Sequence, residues 1–236
     1  MKILFALFLL TNSLSALTLS GVRSEVRQSL KDTGPTSDEY YWSDTYLNAK
    51  INIVQDRIAA YCRINETQYS TYTVAEQREY ALPTDVLVIT RVKYSIISST
   101  NVDSGVYKRL SAVTLGGLDN KVSVNWENTP DGLPTRYYKR AGKIGLYPTP
   151  SAVYASTHSV LQVDYVKRPD TLSCDSSVPF DGVSSAYPYH YMIARGVVAL
   201  CRGVGDNDFY ALLEKMRLEL AFDPDPYIGE QYIRGN

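Results

Sequence analysis

The sequence predicts an α+β protein: a helical core, made of an N-terminal and a C-terminal helix pair, with an antiparallel β sandwich or barrel inserted between them. Two observations predict it. Apolar residues recur at helical spacing towards both ends of the 236-residue chain, and between them they alternate with period two among frequent Gly and Pro turn signals. The expected parts are a helical segment at 17–66, a β-rich insertion at 67–183, helices at 184–222 and an extended tail at 223–236, with residues 1–16 standing apart.

Leu19, Val22, Val26 and Leu30 put one apolar stripe on a first helix, capped by Thr18 or Ser20 and ended by the turn residues Asp32-Thr33-Gly34-Pro35. Ser43-Asp44 opens a second helix whose inner face is Leu47, Ile51, Val54, Ile58 and Tyr61. From about Tyr69 to Lys167 the period is two. Val86, Val88, Val92, Tyr94 and Ile96 alternate with Arg91, Lys93 and Ser95 in a half-buried strand entered at Leu82-Pro83-Thr84. Further strand-like runs lie at 106–115, 122–126, 135–139, 143–147 and 160–166, with Gly116-Gly117, Asp131-Gly132, Ala141-Gly142 and Pro148-Thr149-Pro150 expected as turns. Helical spacing returns at Ser184, with Pro188 in the first turn and Ile193, Val197, Leu200, Cys201 and Val204 as the stripe. Asp206 or Asp208 is the expected cap of a last helix carrying Phe209, Leu212, Leu213, Met216 and Leu220, which Pro224 and Pro226 end. No internal repeat of solenoid or propeller length occurs.

Composition excludes several classes. Hydrophobic residues at 44% build a core and rule out wholesale disorder. With 24 Lys+Arg against 25 Asp+Glu, the chain lacks the basic excess of a dedicated nucleic-acid binder. Three scattered cysteines make neither a disulfide scaffold nor a zinc site. Tyrosine is in excess, 20 against 5 Phe and 2 Trp, and a side chain with an apolar body and a polar tip suits surfaces that are buried on assembly.

Chemistry-bearing motifs are absent. No nucleophile elbow, phosphate loop, dinucleotide fingerprint or zinc-protease pair occurs, so no catalytic residue, metal ligand or cofactor site is expected. His190 reads as a packing histidine and His158 has no nucleophile to serve; Cys62 and Cys201 read as buried small hydrophobes, and Cys174 as a loop thiol. Two segments carry the interaction candidates. Arg136-Tyr137-Tyr138-Lys139-Arg140 with Lys143 is a basic, aromatic cluster: a solvated hairpin tip, a contact with DNA phosphates and bases, or a subunit contact. In the tail, Tyr227, Ile228, Tyr232 and Ile233 are apolar anchors with no helical or strand period, suited to order upon a partner.

Residues 1–16 have two readings. Lys2, the apolar run 3–10 and the small residues Ser13, Ser15 and Ala16 read as a secretory signal, too short to span a bilayer. Alternatively, translation starts at Leu17, where the folded pattern begins. The first reading implies an exported β-rich module that binds a carbohydrate or protein partner. A secreted hydrolase with a dispersed site is the weakest alternative, since no motif supports it.

The order of short motifs carries a further indication. Leu19-x-x-Val22-Arg23-x-x-Val26-Arg27-x-x-Leu30 precedes Tyr41-Trp42-Ser43-Asp44-x-x-Leu47. There follow Tyr80-Ala81-Leu82-Pro83, Gly132-Leu133-Pro134-x-x-Tyr137, Ile144-x-Leu146-Tyr147-Pro148-x-Pro150, Val163-x-Tyr165-x-x-x-Pro169, Pro179 and a small-residue helix at 193–201. In this order, across roughly residues 17–220, the chain resembles the tail adaptor (head–tail connector) proteins of tailed bacteriophages. The resemblance implies a helical core interrupted by a β domain and a homo-oligomeric ring, commonly twelvefold, between the portal protein and the tail tube or nozzle. DNA passes through its channel with transient contacts. No catalysis, cofactor or membrane is implied, and the expected place is the head–tail junction of a virion assembled in the host cytoplasm.

Overall fold

The computed structural model describes residues 16–32, 34, 40–96, 106–121, 125–155, 159–203, 209–211 and 213–214. In chain order the elements are α1 (Leu19–Leu30), α2 (Asp44–Cys62), β1 (Glu66–Tyr72), β2 (Glu79–Ala81), β3 (Val86–Ile96) and β4 (Val106–Arg109). They continue with β5 (Ser111–Ala112), α3 (Leu115–Lys121), β6 (Arg136–Arg140), β7 (Lys143–Tyr147), β8 (Val160–Lys167) and α4 (Tyr187–Cys201). The described residues fall into two compact units, one running to Ile58 and resuming at Pro169, the other from Ala59 to Arg168.

In the first unit the predicted caps and faces are present. The Thr18 hydroxyl accepts the Gly21 N–H at 3.3 Å, and Leu19, Val22 and Val26 of α1 are buried. Lys31 closes α1 in the left-handed region at φ 58°. The Ser43 hydroxyl accepts the Tyr46 N–H at 3.2 Å, and α2 buries Leu47, Ile51, Val54 and Ile58. Two short 3-10 turns, Pro179–Gly182 and Ser184–Ala186, lead into α4, which buries Met192, Ile193 and Val197 and packs on α1. Gly196 is a point of close approach. A Cβ there would meet the Phe209 ring at 2.5 Å and Val54 Cγ1 at 2.7 Å, so only glycine lets these neighbours close on α4. Two side-chain amides of α2, half-buried Asn52 and buried Gln55, hold the irregular segment beyond Pro169: Asn52 bonds both backbone groups of Leu172, and Gln55 spans the Asp170 carbonyl and the Phe180 N–H. Of the expected last helix, residues 209–211 and 213–214 are helical, with Phe209 and Leu213 buried; its proposed cap and its Met216 and Leu220 lie outside the described residues.

The second unit is a pair of four-stranded sheets, ordered β1-β8-β3-β4 and β2-β7-β6-β5, rather than a closed barrel. Both contribute to one core: Ile89, Val92, Tyr94, Leu161, Val163 and Tyr165 from the first sheet, and Tyr80, Ile144 and Leu146 from the second. Pairing is antiparallel except where β5 runs parallel to β6 and at an isolated parallel bridge between Gly132 and Pro150, among the described residues.

Four sequence expectations are corrected. Val88 was expected on the face of Val92 and Tyr94, but β3 slips register against β8 at Val86/Val88 and Ile89/Arg91. Those bulges put Ile89, paired with Tyr165, in the core and turn Val88, paired with Val166, to the opposite face. Gly116-Gly117 is no turn: both glycines lie in α3, whose start the Thr114 hydroxyl secures by accepting the Gly117 N–H at 3.0 Å. The run 106–115 therefore divides into β4, β5 and the start of α3. The run 122–126 ends in a 3-10 turn at Trp126–Asn128, its residues 122–124 lying outside the described ones.

Candidate functional site

The basic, aromatic cluster occupies the β6–β7 hairpin. Ala141 and Gly142 close it with φ of 46° and 74°, the paired positive dihedrals that match strand twist in a two-residue turn. Strand alternation then sorts the cluster. Tyr137 packs against the inter-sheet core, while Tyr138, paired with Gly145, faces the other side and is fully buried. Trp126 lies edge-on to Tyr138 and to Tyr147, at centroid distances of 5.3 and 6.1 Å, and Leu118 of α3 completes this second cluster. The Tyr138 ring rests on Gly145, where a Cβ would come within 2.1 Å of Cζ.

Polar groups fix this stack. Trp126 Nε1–H donates to Asp119 Oδ1 at 2.9 Å. The Arg78 guanidinium lies 5.2 Å from the Trp126 ring centroid and donates to the Glu127 carbonyl and to Thr149 Oγ1. The Tyr138 hydroxyl donates to Glu79 at 3.4 Å; burial, then the Glu79 charge, pushes its pKa up to about 12.

The cations remain at the surface. Lys139, Arg140 and Lys143 are exposed and Arg136 is half-buried. Arg140 approaches Glu127 at 3.8 Å and Lys143 approaches Glu79 at 3.7 Å, both exposed or partly exposed pairs of small worth. With Leu82, Pro83, Thr84, Val86 and Leu87, these three cations line a groove of about 340 Å³. The Leu82 N–H donates to the Gly142 carbonyl at 3.1 Å and ties the wall of the groove to the turn. The structure thus places Tyr137 and Tyr138 inside the unit and gathers the cations around an apolar floor.

A second surface lies in the first unit, and the sequence reading did not single it out. Arg27, buried on α1, donates to Asp32 at 2.8 Å and to Asp44 at 2.5 Å, with the Tyr40 ring 3.7 Å from its guanidinium. Arg23, one turn earlier, reaches Asp44 at 3.5 Å and Asp175 at 2.7 Å. Asp32 in turn accepts the backbone N–H groups of Tyr41 and Trp42. The node holds an aromatic ladder in place: Trp42 stacks on Tyr46 with centroids 4.9 Å apart, and Tyr41, 83% exposed, meets Trp42 edge-on. The signal was available, because the two arginines four residues apart on α1 and the Tyr41-Trp42-Ser43-Asp44 run are the motifs quoted above. What spacing does not show is that they are partners.

His190 is buried, as a packing histidine should be. Its Nδ1 accepts the Leu17 N–H at 3.1 Å, and Phe180 and Tyr187 surround the ring. Burial lowers its pKa to about 4. The unfolded imidazole takes its proton near pH 6.5, so this contribution to stability is complete above about pH 6.5 and is lost as pH falls towards 4. Urea unfolding of the wild type is therefore expected to lose on the order of 3 kcal/mol more than His190→Gln between pH 7 and 4. Equal losses in the two proteins would refute this assignment.

Cys62 is buried and Cys201 half-buried. Cys174 is exposed, its thiol lowered by hydrogen bonds with the Ser176 and Ser177 hydroxyls. His158 and the tail anchors Tyr227, Ile228, Tyr232 and Ile233 lie outside the described residues. Among the described residues no group of His, Cys, Asp or Glu is placed to hold a metal ion, and no helix is long and apolar enough to cross a membrane.

No curated protein matches the chain. The family model of the SU10 adaptor protein matches residues 17–223, a span that takes in the arginine node, the aromatic ladder, both sheets and the basic hairpin. The chain belongs to the SU10 adaptor protein family, a family of phage head–tail adaptors, and is a structural component of the virion.

Proposed function

We propose that the protein assembles as a ring, twelvefold in symmetry, that joins the portal to the tail tube or nozzle at the head–tail junction and leaves a channel for the genome. The family match over residues 17–223 carries this reading. Two surfaces support it. The Tyr41–Trp42–Tyr46 ladder is built from Tyr and Trp, residue types favoured as interface anchors, with Tyr41 and Tyr46 exposed and Trp42 half-buried in the single chain. The basic hairpin offers cations for a neighbouring subunit or for passing phosphates. No catalytic role is assigned. Native mass spectrometry of the recombinant protein, alone and with its portal, tests the reading: a closed oligomer that binds the portal is expected, and a monomer indifferent to it would overturn the proposal.

In the same reading Tyr227, Ile228, Tyr232 and Ile233 form the partner-docking arm. Deleting residues 227–236 is expected to leave the urea midpoint unchanged and to lower portal or tail binding at least tenfold. Undiminished binding by the truncated protein would rule out the arm.

A further inference from the structure

The groove at the β6–β7 turn and one segment of the chain's own tail have complementary chemistry. The groove combines an apolar floor of Leu82, Pro83 and Val86 with a rim of Lys139, Arg140 and Lys143, in about 340 Å³. Arg140 and Lys143 hold only long contacts to carboxylates, at 3.8 and 3.7 Å, and Lys139 has no carboxylate partner among the described residues. Residues 223–230 read Asp-Pro-Asp-Pro-Tyr-Ile-Gly-Glu, three carboxylates bracketing a Tyr-Ile pair. Two prolines restrict the segment's unbound conformations and lower the entropy lost on docking. A nucleic-acid backbone fits the groove less well: Glu79 and Glu127 stand beside two of its three cations, its floor is apolar, and the chain carries a net charge of −1.

We infer that this groove receives segment 223–230 of a second copy of the chain. Tyr227 and Ile228 cover the floor, and Asp223, Asp225 and Glu230 face Lys139, Arg140 and Lys143. The inference deepens the ring reading and rests on it. A contact between two different surfaces of one chain is heterologous, the kind that repeats from copy to copy and closes a ring when the rotation allows. This divides the docking arm: Tyr227 and Ile228 serve the neighbouring copy, and Tyr232 and Ile233 serve the portal or tail partner outside the ring.

Photo-crosslinking of the full-length protein tests it. A benzophenone amino acid replaces Tyr227, and copies of natural isotopic composition are mixed with nitrogen-15 copies before assembly. Crosslinks from position 227 to residues 82–87 or 139–143 are expected in mixed-isotope pairs. Lys139→Glu with Arg140→Glu should reduce them at least tenfold, and adding Asp223→Lys with Asp225→Lys to the same chain should restore them. Crosslinks confined to same-isotope pairs would place the tail in its own groove and overturn the inference. So would groove crosslinks that a short DNA duplex displaces while the oligomer persists, which would make the groove a phosphate site. Native mass spectrometry of the same samples separates the two readings. Closed oligomers without groove crosslinks overturn the docking alone, whereas monomers overturn the ring and the docking together.

Discussion

Arg27→Ala is expected to lower the unfolding free energy by about 3–5 kcal/mol, the range for removing one partner of a buried charge pair. The Arg27 and Asp32 side chains are only 9% and 7% exposed, so the substitution leaves the Asp32 carboxylate out of water without its cation. Two backbone N–H groups, from Tyr41 and Trp42, still reach Asp32, but they supply no full positive charge. Tyr40 loses the guanidinium beneath it, and Asp44 loses its shorter arginine contact. Arg27→Lys is expected to recover part of the loss, because an ammonium cannot fork between Asp32 and Asp44 or stack on a ring. Arg23→Ala is the internal control. Its carboxylate partners Asp44 and Asp175 are 51% and 72% exposed, so the expected cost is about 1 kcal/mol or less. Urea midpoints decide the matter; if Arg27→Ala and Arg23→Ala unfold at the same urea concentration, the node does not organise the helices. The aromatic ladder provides a second readout. Its entry is held by Asp32, so fluorescence of Trp42, followed in a Trp126→Phe background, should shift on Arg27→Ala even where the protein stays folded.

The same node shows what sequence reading reaches and what it does not. Helices α1, α2 and α4 were legible because burial imposes its period on the chain: Leu19, Val22 and Val26, then Leu47, Ile51, Val54 and Ile58, are buried as their spacing predicts, while Leu30 and Tyr61, near the helix ends, are only half-buried. Thr18 and Ser43 were legible because capping is local chemistry. The Arg27–Asp32–Asp44 arrangement was not, since it depends on how α1, its following loop and α2 meet. The β domain divides along the same line. Its hairpin turn at Ala141-Gly142 was read correctly from residue type, whereas Gly116-Gly117 misled, because a Thr114 cap outweighed the weak helical preference of glycine. Val88 misled for a different reason: two bulges shift the phase of β3, and strict alternation has no term for an extra residue. In the basic cluster, residue type identified the cations that line the groove. Only the pairing of Tyr138 with Gly145 shows that one of its tyrosines is enclosed by Trp126.

That pairing carries the second large expected effect. Gly145→Ala should destabilise the protein by about 2–3 kcal/mol, near the top of the range for overpacking a well-filled site. The backbone at Gly145 is not in the left-handed region, so space alone, not dihedral strain, demands glycine there. A Cβ at 145 would stand 2.1, 2.4 and 2.5 Å from Cζ, Cε2 and Cε1 of Tyr138. The ring is not free to move away, because Trp126 packs edge-on against it at a centroid distance of 5.3 Å and is itself held by Asp119 and Arg78. The strain should therefore reach the near-ultraviolet circular dichroism of Trp126 as well as the urea midpoint. Relief of the clash distinguishes this account from a generic cost of changing a strand residue. In a Tyr138→Leu background the aromatic ring is gone, and Gly145→Ala should become neutral or gain up to about 1 kcal/mol from the lower entropy of the unfolded chain. The resulting coupling energy, at least about 2 kcal/mol, is what contacting residues show and distant ones do not. Additive costs in the double mutant would mean that Tyr138 does not lie on Gly145, and the enclosed aromatic stack behind the basic hairpin would have to be abandoned.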